Sequence, residues 1–170
     1  MDPDVILELF SYNYWAFERV WACIAQLTDD QFTQELDYSR GSIRNQVVHL
    51  MSATQRWIYR LQRLEPPPRL VNEDFTNLAQ TKAKWDELQE ELMSYLHTLT
   101  REQLGETIHW ELTERGYSEE NHRWEILLHA ANHGTDHRAQ ILAILNQHFG
   151  IETVEQDLII YLGERQEKPV

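Results

Sequence analysis

One cysteine, Cys23, stands in 170 residues, so no internal disulfide can form and a reducing compartment, the cytoplasm, is expected. Glycine (6) and proline (5) are also few, too few for the turns of an all-β protein. Basic residues are scarce: 15 Lys and Arg face 28 Asp and Glu, a net charge of −13. Phosphate binding needs a basic face, so this balance argues against a nucleic-acid partner. It equally disfavours docking on an anionic membrane. No apolar run approaches the ~20 residues that span a bilayer. The opening MDPDVILELF lacks the basic start and long apolar core of a signal peptide. A hydrophobic share of 42% and a charged share of 25% are ordinary for a globular protein. The length predicts one domain over 1–170 with a core that needs no staples. Against this plain background the chain carries eight histidines. Histidine is the commonest metal ligand and the usual acid–base group near neutral pH.

Four long apolar-periodic runs predict an all-α four-helix bundle. The first covers residues 4–26, with Asp2 as cap, Pro3 in the first turn and a stripe of Ile6, Leu9, Phe10, Tyr14, Phe17, Trp21 and Ile24. The second covers 43–63, capped by Ser42, with Ile43, Val47, Leu50, Trp57, Ile58 and Leu61 as its stripe and Pro66-Pro67-Pro68 beyond its end. The third covers 77–97 and alternates steps of three and four through Leu78, Trp85, Leu88, Leu92, Leu96 and Leu99. The fourth covers 119–148, capped by Ser118, with Trp124, Leu127, Leu128, Ala131, Ile141, Leu142 and Leu145 apolar and Gly150 as its stop. Thr28-Asp29-Asp30-Gln31 and Thr100-Arg101-Glu102-Gln103 read as two capping boxes, each opening a short turn of helix after a long one. The connector 107–118 alternates Ile108, Trp110 and Leu112 before Arg115-Gly116, which fits a small extended segment or hairpin. The apolar tail Asp157-Leu158-Ile159-Ile160-Tyr161-Leu162 is expected to pack back on the body.

His129, His133 and His137 recur every four residues. At 3.6 residues per turn each imidazole stands about 40° from the last, so all three share one helix face. A His pair at i and i+4 can bind one divalent ion, with a third ligand from a facing helix. The candidate is His49, which lies about 120° from the centre of the second stripe, at the edge of the buried face. A ligand at the bundle rim would sit there, and so would an ordinary exposed histidine. The bland reading of the triple is a solvated polar stripe, weakened by the small neighbours Ala130, Ala131 and Gly134, which suit close helix packing. His97, His109, His122 and His148 read as surface or satisfied side chains.

The segment His129-Ala130-Ala131-Asn132-His133-Gly134-Thr135-Asp136-His137-Arg138-Ala139-Gln140 resembles the H-x-x-N-H-G-T-x-H-R-G-Q signature of the DinB-like (DinB/YfiT) metalloprotein family. Tyr12-Asn13-Tyr14-Trp15 is similar to that family's early Y-N-x-W. Gly41-Ser42-Ile43-Arg44-Asn45-Gln46-Val47-Val48-His49-Leu50, followed by Trp57, resembles its second helix. Trp124 fits the tryptophan before the signature, and the 157–161 tail fits the family's ending. The likeness implies a four-helix bundle, often dimeric, holding zinc or nickel through His49, His133 and His137. It implies a place for His129 beside the ligands. Two positions depart from the pattern. Ala139 replaces a glycine, and Asp136 stands where many members have histidine and could orient a ligand imidazole or a bound water.

Three neutral imidazoles would leave a divalent ion its full charge and an open position, the layout of a catalytic rather than a structural site. Such an ion lowers the pKa of a water or thiol toward neutrality. The resemblance permits a thiol-dependent S-transferase acting on a small molecule, with a low-molecular-weight thiol as partner; no residue demands it. The sequence offers no paired carboxylates beyond this site, no Ser or Cys nucleophile beside a His, and no glycine-rich phosphate loop. Cys23 lies in the apolar first helix and reads as a buried thiol. Arg138 reads either as a substrate-anion contact or, more simply, as an exposed arginine paired with an acidic neighbour. The alternatives to an enzyme are a non-catalytic metal-binding or stress-response interaction module, and a bundle without metal.

Overall fold

The computed structural model describes residues 1–112 and 116–166. Four long helices form the body: α1 (Pro3–Ile24), α3 (Ile43–Leu61), α4 (Leu78–His97) and α6 (Arg123–Phe149). Each packs on two others in the cyclic order α1, α6, α3, α4, so the chain makes a four-helix bundle. The helix starts follow the expected chemistry. Asp2, Ser42 and Asn77 each accept a hydrogen bond from a first-turn backbone N–H of α1, α3 and α4. Gly150 ends α6 in the left-handed conformation, φ 65°, which costs a residue without Cβ little. Among the described residues no helix is long and apolar enough to cross a membrane.

The two short helices α2 (Asp29–Thr33) and α5 (Arg101–Gly105) are near copies. In each, the threonine N-cap accepts from the N3 backbone and the N3 glutamine side chain accepts in return from the cap's N–H. Each drops one fully buried side chain into a different half of the core. Phe32 from α2 joins Phe17, Trp21, Met51 and Leu88, whereas Leu104 from α5 joins Phe10, Ile58, Leu96 and Leu127.

The connector forms an antiparallel hairpin, β1 (Thr107–Leu112) paired with β2 (Tyr117–His122), from Thr107 opposite His122 to Leu112 opposite Tyr117. Of the expected Arg115-Gly116 pair, Gly116 has a positive φ of 60° and Arg115 lies outside the described residues. The hairpin corrects the expected start of the fourth helix. Ser118 is not a cap: it pairs with Glu111 in the ladder. The strand continues to His122, whose N–H donates to Glu125 Oε2 at 2.8 Å as α6 begins. A cap signal is local and was outweighed here by pairing with a strand already written in the sequence by Ile108, Trp110 and Leu112.

The tail returns as α7 (Leu158–Gln166) against α1. That return changes one position of the α1 stripe. Tyr12 rather than Tyr14 is buried, its ring near Trp15 and Tyr161 and its O–H donating to the Gln156 carbonyl at 2.8 Å. Leu128, expected in the α6 stripe, is exposed.

Candidate metal centre

Helix α3 carries His49 and the facing α6 carries His133 and His137. The fold brings these three together. Nε2 of His133 lies 3.2 Å from Nε2 of His49 and 3.1 Å from Nε2 of His137. One ligand atom from each falls within a 4.8 Å group. His137 is buried, and the other two are half-buried. Metal–nitrogen bonds of about 2.1 Å separate ligand nitrogens by about 3.4 Å at tetrahedral angles and about 3.0 Å at right angles. These two spacings fall between those values and all three ligand atoms lie within 4.8 Å of one another, so the residues could hold one divalent ion.

The protonation chemistry agrees. Burial, reinforced by the charge of Arg40, holds the His49 pKa down at about 3. Burial and the neighbouring imidazoles His137 and His129 hold His133 at about 4. His137 and His129 are lowered mainly by burial. Near pH 7 the three converging rings are therefore neutral, the form that ligates metal.

The orientation of His137 comes from a residue the sequence reading missed. Gln46 is fully buried on α3. Its Nε2 donates to Ser39 Oγ and to Gln140 Oε1, both at 3.0 Å. With the amide so placed, its Oε1 accepts from Nδ1–H of His137 at 2.6 Å. A proton on Nδ1 leaves the Nε2 lone pair of His137 directed at the other two rings. The one available signal was positional: Gln46 stands three residues after Ile43 and four before Leu50, on the apolar stripe where a polar side chain needs a partner.

Asp136 does not reach an imidazole nitrogen directly. Its Oδ2 accepts from Gln140 Nε2 at 3.1 Å, so it stands at the far end of the same chain of hydrogen bonds. His129 lies outside the converging group, its ring 5.9 Å from that of His133 and edge-on to Trp57 at 5.5 Å. The triad, His129 and Asp136 line one open cleft of about 980 Å³.

Arg138 departs from both sequence readings. It is 2% exposed, deep in the bundle. Its guanidinium donates to Asn13 Oδ1 (2.7 Å), Gln156 Oε1 (2.7 Å) and Thr135 Oγ1 (3.0 Å) and lies over the Tyr12 ring. It ties α1, α6 and the loop before α7 together, and these oxygens are neutral. This explains Gly134: a Cβ there would come within 3.0 Å of Asn13 Oδ1 and 3.2 Å of Arg138 Nη1. Cys23 is buried, as expected, with Sγ donating to the Glu152 carbonyl at 3.6 Å and burial raising its pKa.

The DinB family model matches residues 1–167. Protein DinB of Bacillus subtilis (strain 168) is 27% identical over 165 residues, covering 94% of each chain. Among solved structures, a conserved protein from Enterococcus faecalis superposes with a TM-score of 0.66 at 16% identity, over 88% of this chain and 99% of that one. A DinB family member from Shewanella denitrificans superposes with a TM-score of 0.56 at 15% identity, over 91% and 87%. At such identities these structures share the fold.

Proposed function

The chain belongs to the DinB family, and we propose that it is a divalent-metal protein in which His49, His133 and His137 hold the ion through Nε2. The observation that supports this reading is the convergence of three neutral imidazoles from two helices at 3.1–3.2 Å contacts. Nitrogen ligands of this kind suit zinc and nickel. Three protein ligands, fewer than the four of a closed structural site, leave a coordination position open, and the cleft gives it access.

We further propose a metal-dependent enzyme, with transfer involving a low-molecular-weight thiol as the reaction to test first. The ion would supply positive charge that favours the deprotonated, nucleophilic form of a thiol or water. The chain's own residues supply the rest. Gln46 fixes the His137 tautomer. The half-buried Trp57 forms one wall of the cleft, where His129 stands edge-on to it.

The test is a screen of small thiols against electrophiles with zinc- and nickel-loaded protein, with His49→Ala as control. Turnover that needs metal and vanishes in the variant supports an enzyme. Turnover that persists without the ligands overturns the metal-enzyme reading. Tight metal uptake with no turnover favours a non-catalytic metal-binding module.

A further inference from the structure

The two halves of the core leave a gap where they meet. A second cavity, of about 40 Å³, lies between the four long helices. It takes Phe17, Leu50 and Trp85 from one half of the core and Phe10 and Leu92 from the other. It meets the cleft of the triad at Ala53, Trp57 and His133, which line both. Ala53 and Trp57 follow His49 on α3 by four and eight residues, so they continue its side of the helix with a turn of about 40° at each step. The side chain that separates cleft from cavity next to His49 is therefore a single methyl group.

The walls are mostly apolar, yet two polar groups on α4 have no partner there. Trp85 is 6% exposed, and its Nε1–H donates to nothing among the described residues. Gln89 stands one helical turn further on, 8% exposed and also on the cavity wall, and its amide makes no hydrogen bond to a described residue. Across the cavity Asn13 and Arg138 differ, since the guanidinium donates to Asn13 Oδ1 at 2.7 Å. Buried polar groups without partners are costly and uncommon. Two of them, four residues apart on one helix and lining one cavity, call for a guest that supplies the missing atom.

We propose that this cavity is a subsite for a short uncharged chain end of about three non-hydrogen atoms that carries one oxygen, a hydroxyl or a carbonyl. One water needs about 10–15 Å³, so about 40 Å³ holds about three atoms of that size. The oxygen accepts from Trp85 Nε1–H. A hydroxyl also donates to Gln89 Oε1, and a carbonyl also accepts from its Nε2–H. The apolar walls cover the carbon atoms and disfavour a net charge. Because His133 lines both spaces, a molecule held by this end presents its other end to the triad. The inference rests on the metal-site reading for the reacting end and extends it by naming the end that is held.

The test is proton–nitrogen NMR of the full chain in chelator, following the indole N–H signals of the six tryptophans. Trp85 is assigned by the signal lost in Trp85→Phe. The probes are ethanol, formamide and propane-saturated buffer, the last supplying a similar shape without oxygen. Ethanol or formamide should move the Trp85 signal downfield and saturate, at roughly millimolar concentration or above for so few atoms. The stronger of the two identifies the group as hydroxyl or carbonyl. Trp15, whose N–H already donates to Glu164, should not respond. Gln89→Met keeps the volume, removes the amide and should weaken the binding about threefold or more. Ala53→Leu narrows the shared wall and should weaken it about tenfold or more. No saturable Trp85 shift with either oxygen probe, a propane shift as large as theirs, or parent-like binding in both variants would overturn the inference. A parallel zinc titration separates the two readings. Zinc uptake without a Trp85 response sinks the subsite alone, and a Trp85 response without zinc uptake sinks the metal site alone.

Discussion

Oε1 of Gln46 on α3 accepts a hydrogen bond from Nδ1 of His137 on α6 at 2.6 Å, between two side chains 91 residues apart in sequence. This bond sets which nitrogen of His137 faces His49 and His133. Replacing Gln46 by methionine keeps the volume and removes the acceptor. Partners that orient a ligand in this way are typically worth 10- to 100-fold in metal affinity. A zinc titration of Gln46→Met should therefore show a dissociation constant about 10- to 100-fold weaker, with the helical circular-dichroism signal unchanged. Parent-like affinity would show that Gln46 fills space and orients nothing.

Gly134 gives a case where two effects oppose. Glycine inside a helix is about 1 kcal/mol less favourable than alanine, so Gly134→Ala gains that amount from the backbone. The new Cβ meets Asn13 Oδ1 and Arg138 Nη1 at 3.0 and 3.2 Å. Arg138 is fixed by its other bonds, and crowding of this kind costs about 1–3 kcal/mol. The crowding should win, with a net loss of about 1 kcal/mol in urea unfolding. A stabilised variant would mean that the Asn13–Arg138 contact yields easily.

Arg138→Met removes a buried charge but leaves Asn13 and Gln156 with oxygens that have lost their donor. Removing a charged donor from buried acceptors costs about 1.5–3 kcal/mol, so an overall loss of about 3 kcal/mol is expected. Because Gln156 precedes α7, limited proteolysis should cut the loop over 151–157 sooner in the variant. Unchanged stability would place the weight of the tail's attachment elsewhere, on Tyr12 and Tyr161.

The lowered histidine pKa values fix a direction for the pH dependence. In the unfolded chain these imidazoles protonate near 6.5, whereas in the fold His49 and His133 do so near 3 and 4. Above 6.5 neither state takes the proton and the contribution to stability is fully kept. As pH falls below 6.5 the unfolded chain gains protons that the fold refuses, so stability declines toward the folded values. Metal-free protein should lose Tm steadily from pH 7 to pH 5. The double variant His49→Gln/His133→Gln should lose less over that interval. Equal slopes would show that other groups carry the dependence.

The long helices were legible because each buries one stripe, and steps of three and four report that directly. The same arithmetic placed His133 and His137 on one face. It put His49 at the rim of its stripe, although its distance to α6 is a property of the bundle and not of either helix. What escaped has one physical cause. Gln46 and Arg138 are polar side chains on buried stripes, and Arg138 falls seven residues after Ala131 and four before Leu142. Type alone suggests the surface for an arginine. Burial here is made possible by Asn13, Thr135 and Gln156, acceptors from three separate parts of the chain. Ser118 failed for the opposite reason: its cap signal was local, and a strand pairing overruled it.

The central claim is a metal site of three histidines, and equilibrium metal binding tests it most directly. Chelator-stripped protein should take up zinc or nickel at one ion per chain, with a rise in Tm that grows with free metal. His49→Ala, His133→Ala and His137→Ala should each abolish stoichiometric uptake while remaining folded. Substoichiometric metal in the parent, or uptake that survives all three substitutions, would contradict the account.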